Sequence, residues 1–195
     1  MRIGTRRRRR YGVAVRAERI LIYGVTGSGK TTLARELAGA LGVRAVSVDD
    51  EIGWLPGWVS RPAGEQRNLA EQVVAKRAWV MDTAYTAWLD VVLGRTEAIV
   101  ALDYPRVVSL GRLVRRSLAR AIDRRPICNG NTETFRELFS RDSILIWHFR
   151  SFARKRARIR CWAADPPVRR VVVLRSPRQT RRFLAGLGAA GAGRL

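Results

Sequence analysis

Gly24-Val25-Thr26-Gly27-Ser28-Gly29-Lys30-Thr31 decides the fold. It fits the phosphate-loop pattern G-x-x-x-x-G-K-[ST], a motif that carries weight only between a strand and a helix. Both neighbours are present. Arg19-Ile20-Leu21-Ile22-Tyr23 is a short apolar run that reads as a buried parallel strand. Lys30 to Leu41 repeats Leu33, Leu37 and Leu41 every four residues and stops at Gly42, a helix with one apolar face. Glycines let the backbone curl so that successive N–H groups face phosphate oxygens, and the helix N-terminus adds partial positive charge. A nucleoside triphosphate site is therefore expected at Gly24, Thr26, Gly27, Ser28, Gly29, Lys30, Thr31 and Thr32. Lys30 should reach the β and γ phosphates and Thr31 should offer its hydroxyl to Mg2+. The lysine is informative in itself, because 35 of the 38 basic residues are arginine. A planar guanidinium does not replace a compact ammonium between phosphates.

Outward from this loop the apolar segments continue in alternation. Val43 to Val48 reads as a second strand ending in Asp49 and Asp50, and the Pro/Gly-rich loop Trp54-Leu55-Pro56-Gly57-Trp58 follows. A helix is expected from about Ser60 to Arg77, opened by Pro62. Ala78 to Met81 and Ala98 to Leu102 read as strands three and four, each followed by an aspartate, Asp82 and Asp103. Val171 to Leu174 reads as strand five, and Arg178 to Leu187 as a closing helix. Strands alternating with helices predict an α/β three-layer fold on a five-stranded parallel sheet, with ligands at the carboxyl ends of the strands. Residues 19–187 form one domain in this reading. Residues 105–160 make a basic helical lid, broken at Asp123–Thr134 by Pro126, Asn129, Gly130 and Asn131. Residues 1–18 read as a basic tail, and residues 188–195 as a frayed one.

Charge and composition bound the function. The net charge is +22 over 195 residues, which favours polyanions, nucleotides or acidic surfaces. The run Arg6 to Arg10 has two open readings, a solvated leader or a contact to nucleic acid or anionic lipid. Two cysteines and one histidine argue against a disulfide framework and a structural zinc site. No apolar run approaches the roughly 20 residues needed to span a bilayer. A soluble protein of the reducing cytoplasm is expected.

The chain resembles the small adenylate-kinase-like P-loop proteins known as topology modulation proteins. The resemblance runs from Ile20 nearly to the end. It is carried by the P-loop, by Asp50 with Trp54-Leu55-Pro56-Gly57-Trp58, and by Trp79-Val80-Met81-Asp82 with Tyr85. Leu102-Asp103-Tyr104-Pro105-Arg106, Arg112 with Arg115-Arg116, Trp147 with Phe149-Arg150, and Leu174-Arg175-Ser176-Pro177 with Phe183-Leu184 complete it. It implies strand order 2-3-1-4-5 and ATP as phosphoryl donor. The family pattern has glycine after the aspartate of strand three; here Thr83 stands there, and its side chain is expected to crowd a substrate phosphate.

These observations set the candidate roles. Asp82 and Asp103 both end buried strands, and the resemblance favours Asp82 as the acid that serves Mg2+ with Thr31. Asp50, with Asp49 second, faces the same cleft and could orient or deprotonate an acceptor hydroxyl, or cap a local turn. Trp54 and Trp58 could stack on an acceptor ring or pack the loop, whereas Trp79 and His148 read as core. Arg112 and Arg116 share a helix face at four-residue spacing, as do Arg150 and Arg154. Family position suggests them as phosphate clamps in the manner of arginine fingers. Arg175 and Pro177 follow strand five, where this fold borders the adenine.

The expected function is an ATP-dependent phosphotransferase that acts on a nucleoside, nucleotide or similar small acceptor. Its rivals are a nucleic-acid-associated P-loop protein, either a polynucleotide kinase or a DNA- or RNA-binding ATPase, and a non-catalytic nucleotide-binding regulator. From Asp103 to Trp162 the chain carries 15 basic and 5 acidic residues. That charge suits either a triphosphate lid or a nucleic-acid face.

Overall fold

The computed structural model describes residues 17–191 apart from 125, 139, 141, 142 and 169. The arginine run and most of the basic tail lie outside the described residues. Seven strands appear among the described residues, β1 (Arg19–Gly24), β2 (Arg44–Val46), β3 (Trp54–Leu55), β4 (Val59–Ser60), β5 (Trp79–Met81), β6 (Ala98–Leu102) and β7 (Arg170–Leu174). Five of them form one parallel sheet in the order β2-β5-β1-β6-β7. Counting only those five, this is the expected order 2-3-1-4-5. β3 and β4 pair separately as a small antiparallel hairpin across the Trp/Pro/Gly loop. Two-residue strands carry no readable periodicity, so the sequence showed only a loop there.

The helices are α1 (Lys30–Leu41), α2 (Ala63–Val74), α3 (Leu89–Leu93), α4 (Arg106–Asp123), α5 (Phe135–Leu138), α6 (Ile144–Ala164) and α7 (Pro177–Gly191). α1 has the expected limits and ends on Gly42 at φ 67, the left-handed conformation that glycine adopts without a Cβ penalty. α7 continues four residues past Leu187.

The central strands are buried on both faces, and their side chains alternate between two cores. Ile20, Ile22, Val80, Val100 and Leu102 point to the side of α1 and α7, where they meet Leu33, Leu37, Phe183 and Leu187. Leu21, Tyr23, Met81, Ile99 and Ala101 point to the other side. There they meet Ala70 and Val74 of α2, Leu89 and Val92 of α3, and Ile159 and Trp162 of α6. The sheet is thus clamped between layers, and its carboxyl edge is left to the loops that carry chemistry.

Candidate active site

The phosphate loop leaves β1 at Gly24. Gly27 and Gly29 take φ 81 and φ 94, conformations that favour glycine. Gly27 has a second constraint: a Cβ there would stand 2.2 Å from the carbonyl oxygen of Ser109, so α4 lies directly against the loop. Three of the loop's carbonyls are held by neighbours. Val25 O accepts from Ser28 Oγ at 2.8 Å and from Lys30 Nζ at 3.2 Å. Ser28 O accepts from Arg112 Nη1 at 3.3 Å. Thr26 O lies 3.0 Å from His148 Nδ1. A carbonyl can only accept, so His148 carries its proton on Nδ1. With these carbonyls engaged, the N–H groups that open α1, which have no partner within the helix, are available to an anion.

Lys30 is partly buried, and burial lowers its ammonium from the usual lysine range, while Asp82 and Asp49 oppose that shift. Thr31 donates its hydroxyl to Asp82 Oδ2 at 2.6 Å. Asp82 is 4% exposed, and its other oxygen accepts from the Val48 N–H at 3.0 Å. Burial raises the Asp82 carboxyl above the ordinary range, with the Thr31, Val48 and Lys30 contacts pulling the other way. The rival acid is differently employed: Asp103 Oδ1 accepts from Arg156 Nε at 2.7 Å in a salt bridge. Among the described residues no three His, Cys, Asp or Glu side chains gather as a metal cage. One hydroxyl and one carboxylate beside a phosphate cradle suit Mg2+, which takes few protein ligands and completes its shell with phosphate and water.

After β2 the chain makes a short π-helical turn, Asp49–Gly53. The turn directs the two aspartates differently. Asp50 accepts from Ser47 Oγ at 2.5 Å within its own turn. Asp49 is exposed, accepts from the Tyr85 hydroxyl at 2.5 Å, and its charge acts on Lys30, Arg116 and Tyr85. The two acids are thus held apart, Asp49 by Tyr85 and Asp50 by Ser47. Tyr85 closes over this turn so tightly that a Cβ on Gly53 would stand 2.3 Å from its hydroxyl. Thr83, at the family's glycine position, is buried at 7% exposure.

The break between α4 and α6 lies on the tryptophan loop. Asn129 Nδ2 donates to the carbonyls of Asp50 at 2.7 Å and Trp54 at 2.6 Å. Asn131 Nδ2 donates to Leu55 O at 3.0 Å, and its Oδ1 accepts from Trp58 N at 2.8 Å. The Trp58 indole donates to Thr132 O at 3.1 Å, and Trp54 packs edge-on against Trp58 at 5.8 Å. The two indoles are thus engaged by each other and by the lid. Cys128 in this segment is pushed up to about 12 by burial and by Asp49 and Asp50, so it stays a thiol.

The arginine candidates separate. Arg112 reaches the P-loop, as its bond to Ser28 O records, and lies over the Tyr104 ring at 5.6 Å. Arg116, one turn on, is exposed at the rim of the cleft, and its charge acts on Lys30. Arg150 and Arg154 are exposed, and Arg154 lies over the Trp147 ring at 5.8 Å. α6 buries His148, Ser151, Phe152, Ile159 and Trp162. At about 100° per residue, positions 150 and 154 fall well away from that face. α6 meets the P-loop end of β1 through His148 and through Arg158, whose Nη1 donates to the Tyr23 hydroxyl at 3.2 Å. Thr32, the third residue of α1, is exposed. Arg175 is exposed, and its N–H donates to Gln179 Oε1 at 2.7 Å, with Pro177 opening α7 beside it.

Comparison with solved structures confirms the architecture. The chain superposes on a shikimate kinase from Acinetobacter baumannii in complex with shikimate with a TM-score of 0.56. The two are 16% identical, over 95% of this chain and 99% of that one. A gluconokinase from Sinorhizobium meliloti 1021 gives a TM-score of 0.50 at 17% identity, over 89% of this chain and 93% of that one. The chain shares the P-loop α/β fold of these structures.

Within that P-loop fold, the model of the ATPase family associated with various cellular activities (AAA) matches residues 20–81. That span holds β1, the phosphate loop, α1 and the strands up to β5. A comparison with curated protein sequences gave no match. No helix among the described residues is long and apolar enough to cross a membrane.

Proposed function

We propose that this chain is an ATP-dependent phosphotransferase that passes the γ-phosphoryl group to a small-molecule acceptor. The observation that carries the reading is the Thr31–Asp82 pair beside Lys30 on the phosphate loop, with the lid segment docked on the neighbouring tryptophan loop. The names of the two structural neighbours, a gluconokinase and a shikimate kinase, agree with a small-molecule kinase.

In this reading the N–H groups at the start of α1 and the Lys30 ammonium hold the triphosphate, and Arg112 braces the loop that presents them. Thr31 and Asp82 would hold Mg2+, which when bound neutralises phosphate charge and aligns the triphosphate. Asp49 rather than Asp50 would accept the proton of an acceptor hydroxyl: it is the more exposed of the two, and its charge acts on Lys30. Docking of residues 129–132 on the tryptophan loop keeps water away from the transferring group, which separates a kinase from an ATPase.

Nothing in the fold comparisons supports a nucleic-acid partner, and that alternative rests on the +22 charge alone. The test is a screen of nucleosides, nucleotides, 5′-hydroxyl oligonucleotides, gluconate and shikimate, scored by ADP production above the no-acceptor background. An acceptor that stimulates at least about tenfold, or roughly 1.4 kcal/mol of transition-state stabilisation, identifies the class. No stimulation by any acceptor, with the nucleotide bound, would leave a binding protein.

A further inference from the structure

Lysine is scarce in this chain. Lys30, Lys76 and Lys155 are the three among 38 basic residues. Lys30 belongs to the phosphate loop, and Lys76 is exposed beyond the end of α2. Lys155 lies in the middle of α6, and the helical period fixes which way it faces. It is seven residues from His148 and four from Ser151, both 0% exposed, so it stands on the face that packs inward. One end of that face is tied to the P-loop through His148 and the Thr26 carbonyl. The other end is tied to β1 through Arg158 and Tyr23, the residue before Gly24. Lys155 sits between these two anchors. The neighbours beside it in sequence point elsewhere, Arg154 to Trp147 and Arg156 to Asp103.

We propose that Lys155 is a second phosphate-binding lysine, which meets a triphosphate on the P-loop from the lid helix, opposite Lys30. This rests on the nucleotide-site reading above. Among the described residues Lys155 has no hydrogen bond or ion pair. The strongest charge acting on it is another cation, Lys30, followed by Asp49, Arg154 and Arg158. On the elements packed against α6 the remaining groups are occupied. Arg106 of α4 lies over Phe149 and Phe152, Asp103 holds Arg156, the Tyr23 hydroxyl of β1 takes Arg158, and β7 presents Val171 and Val173. Asp49 is the one acid whose charge acts on both Lys30 and Lys155, and an anion seated between the two lysines adds to it.

The residue type fits this task. An arginine in this position would stay charged and face Lys30 unpaired, whereas a lysine can release its proton. Burial, with Lys30 adding to it, lowers the Lys155 ammonium to about 7. At pH 8 the free protein therefore holds Lys155 mostly as the neutral amine. A bound triphosphate favours the charged form, so binding draws a proton from the buffer onto Nζ.

Calorimetry of the full chain with Mg2+ and the β,γ-imido analogue of ATP, in buffers of different ionisation enthalpy, reads that proton directly. For a group near 7 that becomes fully charged, uptake at pH 8 should be about 0.9 proton per site and should shrink below pH 7. Lys155→Arg should keep the affinity within a few-fold and lose that uptake. Lys155→Met should lose affinity at least tenfold. Uptake unchanged in Lys155→Arg, or affinity unchanged in Lys155→Met, overturns the proposal and leaves the nucleotide site standing. Absence of proton uptake by the wild type at pH 8 overturns it without any variant. Failure of the wild type to bind the analogue removes the nucleotide-site reading and this proposal together.

Discussion

His148 reaches across 122 residues of sequence to the carbonyl of Thr26, 3.0 Å from its Nδ1. The single histidine of the chain is therefore part of the phosphate loop's scaffold. Its ring is 0% exposed and packs against Phe152 at 5.6 Å. Replacing it by phenylalanine fills the space and removes the donor. His148→Phe should cost about 1–3 kcal/mol, the penalty for a buried acceptor left unsatisfied, read by chemical denaturation. It should also weaken nucleotide binding, because the loop loses one of its ties.

The same residue gives a pH dependence of known sign. Burial lowers the folded-state His148 below its usual 6.5, with nearby Arg106, Lys155 and Lys30 acting in the same direction. Below 6.5 the unfolded chain takes up a proton that the folded chain refuses. The stability carried by the neutral ring is complete above that value and is lost as pH falls through it. Denaturation midpoints measured from pH 8 to pH 5 should show the loss in wild type and a shallower one in His148→Phe. Equal slopes would rule the residue out as the source.

Lys30→Ala should lower affinity for Mg2+ and ATP about tenfold or more, since a hydrogen bond to a charged group is worth about 1.5–3 kcal/mol. Stability should barely change, because Lys30 bonds only the Val25 carbonyl. Calorimetry gives the first quantity and thermal unfolding the second. Equal affinity in both proteins would remove the assignment of this loop.

Asp82 and Asp103 are separable by paired substitutions. Asp82→Asn keeps the shape beside Thr31 and removes the charge. It should cut turnover by about a hundredfold or more, the scale of losing one electrostatic partner of the transition state. Asp103→Asn releases Arg156 and should lower stability while sparing most of the turnover. The reverse pattern would assign the metal to Asp103.

Asn131→Ala removes the group that holds both Leu55 O and the Trp58 N–H. The lid should then open more often. The expected signature is a rise in ADP formed without acceptor relative to ADP formed with it. Hydrogen exchange at Trp58 should quicken, and exchange in β1 should not.

A salt titration tests the nucleic-acid alternative. Single-stranded oligonucleotide binding that is absent at about 50 mM salt, where electrostatic contacts are strong, removes that alternative. Binding that falls steeply with salt and weakens on deletion of residues 1–18 would restore it.

The sheet and the phosphate loop were legible because their signals are local. Ile20 to Tyr23, the glycines and the leucines of α1 are each read within a dozen residues. The roles around the loop depend on phase, which is not local. The π-helical turn at Asp49–Gly53 gives Asp49 to Tyr85 and Asp50 to Ser47, and the word Asp49-Asp50 gives no sign of it. In α6 the four-residue spacing of Arg150 and Arg154 was correct, but the helix presents a different face. His148, Phe152 and Ile159 mark that face once one of them is known to be buried. For Lys155 a signal did exist: it is a lysine in a chain that writes nearly every cation as arginine.

The lid's two asparagines hold the tryptophan loop almost wholly by its main chain. They bond the carbonyls of Asp50, Trp54 and Leu55 and the N–H of Trp58, and among the described residues the Trp58 indole is the one loop side chain that bonds the lid in return. Backbone groups are the same whatever residue carries them. Side chains along this loop can therefore be exchanged, by drift or by design, while the latch still closes. A protein built this way can acquire a new acceptor preference without first having to reinvent how it shuts.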